Sequence, residues 1–116
     1  MDSIENKRIE YQTHLVEILQ SLSQEFKLQK ELADLVIADT KNGHFQLLRI
    51  GWIEDDRILQ ILVHFDLKED GKIWIQENAT ELAVDEELLK KGVPASDIVL
   101  AMHPPVYRPF TAFAEA

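Results

Sequence analysis

The hydrophobic period of this chain changes after its first helical stretch, from three-and-four to two, and turn signals then divide the period-two stretch into short runs. Tyr11, Leu15, Ile18, Leu19, Leu22 and Phe26 recur at spacings of three and four, with Glu17, Gln20 and Ser23 between them. That pattern predicts a helix from about Ile4 to Leu28 with a single apolar stripe. Beyond it, Leu35–Ala38, His44–Ile53, Ile58–Leu67 and Lys72–Gln76 are separated by Asn42-Gly43, Asp55-Asp56 and Asp70-Gly71. These dipeptides have the chemistry of tight hairpin turns, so the runs predict a four-stranded antiparallel meander. The helix stripe needs one face of that sheet.

Register follows from the turns. A two-residue loop at Asp55-Asp56 sets Trp52 opposite Leu59, Ile50 opposite Ile61 and Leu48 opposite Val63; one at Asn42-Gly43 sets Ile37 opposite Leu48. With Phe65 and Trp74 these form the expected core face, since a slip of one residue scatters the set. The opposite face collects Leu47, Ile53, Ile58, Leu62, Ile73 and Ile75 among Arg49, Gln60, His64, Asp66 and Glu77. It is too apolar for a fully solvated face, which predicts partial cover by later elements or by another molecule.

Thr80 is the expected N-cap of a second helix, with Glu81 in its first turn, Leu82, Leu88 and Leu89 as apolar positions, and Gly92 as C-cap. Ile98–Met102 reads as a fifth strand. Pro104, Pro105 and Pro109 then oppose regular structure and predict an extended tail carrying Tyr107, Arg108, Phe110 and Phe113. The expected fold class is α+β: a long N-terminal helix on a mainly antiparallel meander, a second helix, a short fifth strand and a tail. Its 116 residues fit a single domain, 1–116.

Charge bears on partners. Twelve basic residues face twenty-one acidic ones, for a net charge of −9, and no basic stripe appears in the sequence. Duplex DNA is gripped by several Lys and Arg side chains at phosphates, so no DNA binding by the chain alone is expected, and a basic protein partner suits it better. The absence of cysteine excludes disulfides, thiolate metal sites and a cysteine nucleophile, and favours a reducing cytoplasm. No apolar signal region opens the chain and no run is long enough to span a membrane, so a soluble cytoplasmic protein is expected.

His64, Asp66 and Glu77 share one expected face, an arrangement that can serve a metal or acid–base chemistry. With one histidine in the set and no HxxxH or HExxH spacing, a hydrogen-bonded polar patch is the expected outcome. His103, before Pro104-Pro105, is expected to lock a turn, and His14 and His44 to be solvated. Ser96 lacks a nucleophile-elbow context, and there is neither a P-loop nor a dinucleotide-binding glycine pattern. No catalytic residue, metal ligand or cofactor is therefore expected. Trp52 and Trp74 are assigned to the core, and Arg49 to an interface or to a pair with Asp66 or Glu77.

Several blocks resemble the XisI family in order and spacing: Gly51-Trp52, His64-Phe65-Asp66, Asp70-Gly71-Lys72-Ile73-Trp74-Ile75-Gln76, Thr80-Glu81, Gly92-Val93-Pro94 with Asp97-Ile98-Val99-Leu100, and His103-Pro104-Pro105 onward through Arg108, Thr111 and Phe113. The likeness extends over the whole chain. Asn78, Ala101-Met102 and Glu115 depart from the family's pattern, which has an acidic residue, Gly-Phe and Val at those places. The resemblance implies an XisI-like fold and control of fdxN element excision during cyanobacterial heterocyst differentiation. A separate recombinase then cuts the DNA, and XisH is the companion factor. The expectation is a non-catalytic protein–protein module whose interface draws on Arg49, His64, Asp66, His103, Tyr107, Arg108, Phe110 and Phe113, forming a homodimer alone and a complex with the companion. The alternative is a small metal-dependent or hydrolytic enzyme using His64, Asp66, Glu77 and His103.

Overall fold

The computed structural model describes residues 3–25 and 30–116. Helix α1 (Ser3–Glu25) buries Tyr11, Leu15, Ile18, Leu19 and Leu22, the stripe anticipated from spacing; Phe26 and Leu28 lie outside the described residues. Strands β1 (Leu32–Asp39), β2 (His44–Ile53), β3 (Asp56–Leu67) and β4 (Ile73–Asn78) form the antiparallel meander. Helix α2 (Val84–Lys90) then leads to β5 (Ile98–Leu100), which pairs parallel to β4 and completes a sheet of order β1-β2-β3-β4-β5.

Both helices lie on one face. Beneath α1 and α2 sit Phe45, Leu47, Val63, Phe65, Leu67, Ile73, Ile75 and Ile98, all buried, with Val84 and Leu88 contributed by α2. Lys91, following α2, reaches Glu17 of α1 at 2.9 Å and holds that carboxyl below its ordinary range. The Tyr11 hydroxyl donates to Asp97 Oδ2 at 2.6 Å, and Lys7 approaches the same oxygen at 3.2 Å. This ties α1 to the segment entering β5. Burial and the neighbouring Asp97 carboxylate push the Tyr11 phenol well above its usual range, so it stays a donor.

The meander is as expected, but the covered face is the other one. The β2–β3 turn is Glu54-Asp55, with Glu54 at φ 54°, and Ile53 pairs with Asp56. The register therefore runs Trp52 opposite Arg57, Ile50 opposite Leu59 and Leu48 opposite Ile61. Likewise Asp39 pairs with His44, making the first loop Thr40–Gly43, and Ile37 faces Gln46. Each shift is by two residues, which preserves sidedness: Ile37, Leu48, Ile50, Trp52, Leu59 and Ile61 do share a face.

What the alternation could not show is a bulge. Leu47 pairs with Val63 and Leu48 with Ile61, leaving Leu62 as an extra residue whose carbonyl accepts the Ala79 amide. A second extra residue, Gln76, interrupts the β3–β4 pairing. Each bulge reverses the side on which later residues fall. Val63 and Phe65 thereby leave the company of Ile61 and join Phe45 and Leu47. The helices cover that side because it is apolar along this stretch, whereas the other side carries His44, Gln46, His64 and Asp66. Sealing those four beneath a helix would strand polar groups away from water. Trp52, 49% exposed, is accordingly not a core residue.

Three smaller expectations are also corrected. Thr80 does not cap α2: Ala83 holds that position without a side-chain bond. Instead Asn78 builds the turn, its Oδ1 accepting the Thr80 amide at 3.0 Å and the Thr80 hydroxyl at 2.6 Å, while its Nδ2 donates to the Leu82 carbonyl at 2.7 Å. Ala101 and Met102 form a turn after β5 rather than its end, with the Met102 amide donating to the Ile75 carbonyl. The tail is not extended throughout, since Pro105–Phe110 winds into a 3-10 helix. Proline's fixed φ suits the first turn of a helix, where its missing N–H costs nothing.

Candidate functional site

The sheet face turned away from the helices has three zones. Across β1, β2 and β3, from the β2–β3 turn inward, Leu35, Ile37, Trp52, Leu59 and Ile61 are exposed and Leu48 and Ile50 half-buried. Leu59 alone is 64% exposed. The strands' alternation places these residues side by side, and no residue among them is charged except Arg57, whose guanidinium lies over the Trp52 ring at 5.4 Å.

Toward the opposite end of β2 and β3 the face turns polar. His44 Nδ1 and His64 Nε2 are 3.1 Å apart with the rings edge to face, and Gln46 Nε2 donates to His64 Nδ1 at 3.1 Å. With that amide donating, the neutral His64 carries its proton on Nε2 and gives it to His44. Both ring nitrogens of His64 are thus engaged. Burial, then the charge a protonated His44 would carry, lower its pKa, only partly countered by Asp66. Asp66 is buried and bound by Lys68 at 2.6 Å, with His44 Nδ1 at 3.9 Å. Glu77 is the register partner of His64 and is exposed. Among the described residues no three metal-type ligands converge.

The third zone is the tail. Trp74, opposite Asp66 in register, has both Lys68 Nζ and the Arg108 guanidinium over its ring, at 5.1 and 5.3 Å. Trp74 therefore anchors the tail on the outer face rather than packing under α1. Arg108 also donates to the carbonyls of His103 (3.2 Å), Glu115 (3.3 Å) and Ala101 (3.4 Å). The Thr111 hydroxyl donates to the Arg108 carbonyl and accepts the Phe113 amide. The Ala114 amide donates to Ile98, extending the β5 edge. Arg108 is in this way the brace of a compact turn that leaves Val106, Tyr107 and Phe110 outward, Phe110 at 87% exposure. Phe113 turns the other way and packs against the main core.

Of the residues singled out in the sequence, His64 and Asp66 therefore lie on the outer face with Arg108, which stacks on Trp74 there, while His103, Tyr107 and Phe110 are exposed on the tail that Arg108 braces. Arg49 joins neither group. It lies on the helix side, bound to neither Asp66 nor Glu77 but to Asp34 of β1, through Nε to Oδ1 at 2.8 Å and Nη2 to Oδ2 at 3.0 Å. The sequence reading missed Leu35, Leu59 and Ile61 as surface residues and Lys68 as a partner of both Asp66 and Trp74. The uncharged composition of that strip reads equally well as core, so no local signal separates the two.

Basic residues scattered in the sequence also meet. Arg8, Lys41, His44 and Lys68 line an open groove of about 350 Å³, together with Asn42, Leu67, Asp66 and Glu69. The two carboxylates offset much of that positive charge, and Arg8 spends its Nε on the Lys68 carbonyl. No helix among the described residues is long and apolar enough to cross a membrane.

Two helices on one face of a mixed five-stranded sheet, with apolar side chains left outward on the other, define an α+β protein of open sheet face. The family can be named outright: the chain belongs to the XisI family, whose model (XisI protein) matches residues 1–115. The crystal structure of a XisI-like protein from Anabaena variabilis superposes with a TM-score of 0.89 at 35% identity, covering 94% of this chain and 99% of that one. The fdxN element excision controlling factor XisI from the same organism superposes with a TM-score of 0.81 at 32% identity, covering 95% and 99%. No curated protein matches the chain.

Proposed function

We propose that this protein is a non-catalytic controlling factor for programmed excision of a cyanobacterial DNA element, working in the cytoplasm through contact with a companion protein of the XisH kind. Membership of the XisI family and likeness to an excision controlling factor support the genetic role. The observation that carries the contact mechanism is the braced tail. An exposed aromatic on a preformed turn loses little freedom on docking, and such anchors supply a large share of binding free energy. Tyr107 and Phe110 are presented in this way by Arg108.

The arrangement gives less support to a small metal-dependent or hydrolytic enzyme built on His64, Asp66, Glu77 and His103. Both nitrogens of His64 are engaged and Asp66 is held by Lys68. A general base needs a free lone pair within reach of substrate, and His64 offers none without losing Gln46. Co-expression with the companion and tandem purification tests the proposal. The expected result is a complex stable at about 150 mM salt, with no affinity of the chain alone for random duplex DNA under the same conditions. Phe110→Ala is expected to weaken the complex about tenfold. Failure of the unmodified chain to bind the companion refutes the proposal.

A further inference from the structure

The tail leaves β1, β2 and the turn-proximal half of β3 uncovered. Exposed Leu35, Ile37, Trp52, Leu59 and Ile61 present on the order of 500 Å² of apolar surface, at the upper end of what lone chains leave open. A sheet closed by helices on one side and carrying such a strip on the other lacks a layer. The question is what supplies it.

The rim of the strip answers through charge. Glu31, Glu54, Asp55 and Asp56 gather at the β2–β3 end, where the Trp52 amide donates to the Glu31 carbonyl and Asp56 pairs with Ile53. Asp39 closes β1 at the other end, and Glu77 of β4 pairs with His64 of β3. Against these stand Lys30 beside Glu31, Arg57 at the Trp52 ring and the Gly51 carbonyl, Lys41 in the first loop, and Lys68 held by Asp66 and the Trp74 ring, fewer than the carboxylates they face. The rim is acidic on a chain of net charge −9. A second copy would bring the same acidic rim and the same net charge to the contact, which opposes self-association on this face. A partner with an apolar strip bordered by Lys and Arg meets both features. Opposite rim charges steer encounter, while the apolar middle sets residence time.

We propose that the open β1–β3 face is a docking surface for a basic partner protein, which seats aliphatic side chains against Leu59 and Ile61 and cationic ones against the Glu54–Asp56 turn. This rests on the reading of the chain as a protein-binding factor. It assigns the companion's second area of contact, on β1–β3 beside the β4 residue Trp74 that anchors the braced tail. The geometry separates the two areas, so each can be altered without the other.

Titration of the full chain against the purified companion tests it, with the Phe110→Ala chain as the tail control. Leu59→Ala with Ile61→Ala, both at exposed positions, is expected to weaken binding at least tenfold with the melting temperature unchanged. Glu54→Gln, Asp55→Asn and Asp56→Asn together are expected to slow association and flatten its dependence on salt, with dissociation little altered. If the unmodified chain binds the companion and both variants match it, this face is not the docking surface, and the controlling-factor reading stands without it. If the unmodified chain does not bind at all, both readings fall. Sedimentation of the unmodified chain as a dimer that the Leu59, Ile61 variant dissociates overturns the inference in favour of a second copy.

Discussion

The Arg49–Asp34 pair offers a quantitative test of how the helix-side face is built. Asp34 and Arg49 are register partners on β1 and β2, joined by two parallel hydrogen bonds of 2.8 and 3.0 Å. The Asp34 side chain is 1% exposed and that of Arg49 24%. Arg49→Met keeps most of the aliphatic stem but strips the charge, leaving a sealed carboxylate without its partner. Removing one member of a buried pair costs about 3–5 kcal/mol, and water reaching the outer edge of Arg49 argues for about 3. For a chain of this size that corresponds to a fall in Tm of roughly 12 °C. Asp34→Leu combined with Arg49→Met removes both charges and should return stability to within about 1 kcal/mol of the unmodified chain, because desolvation of the pair offsets most of its attraction. Urea and thermal denaturation of the four proteins close the double-mutant cycle. If Arg49→Met loses under about 1 kcal/mol, or the double variant loses the sum of the singles, the pair is not the coupled buried unit described above.

Arg108→Ala should cost about 1–2 kcal/mol from its stacking on Trp74 and its partly exposed hydrogen bonds, and should speed exchange of the Ala114 amide; Arg108→Lys, which keeps charge without the fork, should recover about half. Asn78→Asp retains the acceptor for Thr80 but replaces the donor to Leu82 with a carboxylate oxygen aimed at a carbonyl. It should lower unfolding free energy by about 1–2 kcal/mol in urea titrations, although an acidic residue is what the family's pattern has there. His64 has its pKa depressed below the ordinary 6.5, so the unfolded chain takes up its proton first as pH falls. Its contribution is fully present above about 6.5 and is lost as pH drops toward the folded value, giving stability that rises with pH just below 6.5. Denaturation of the unmodified and His64→Gln chains across that range should show the difference in slope, because the lowered carboxyls of Glu17 and Asp39 start from 4.5 and 3.8 and titrate lower. Equal slopes would mean that His64 is not held in its neutral form.

The sequence by itself determined the elements and their order. Spacing of three and four placed α1 and named its buried stripe, and Asn42-Gly43 and Asp70-Gly71 marked two hairpins, because turn chemistry and periodicity are local properties. It also grouped Ile37, Leu48, Ile50, Trp52, Leu59 and Ile61 on one face, since shifts of two residues conserve sidedness. Only the tertiary structure decided which face the helices cover. Both faces carry enough aliphatic residues to be a core, and the bulges at Leu62 and Gln76 exchange side chains between faces without a signature in alternation. Arg108 shows the same limit in part: the carbonyls it binds lie within seven residues of it, but the Trp74 ring that seats it on the sheet comes from a strand far back in the chain. A bulge is selected by the packing it permits, and a brace by the segments that meet there. The bulges and the Trp74–Arg108 contact join residues distant in the chain, so they take definite form only when the sheet assembles.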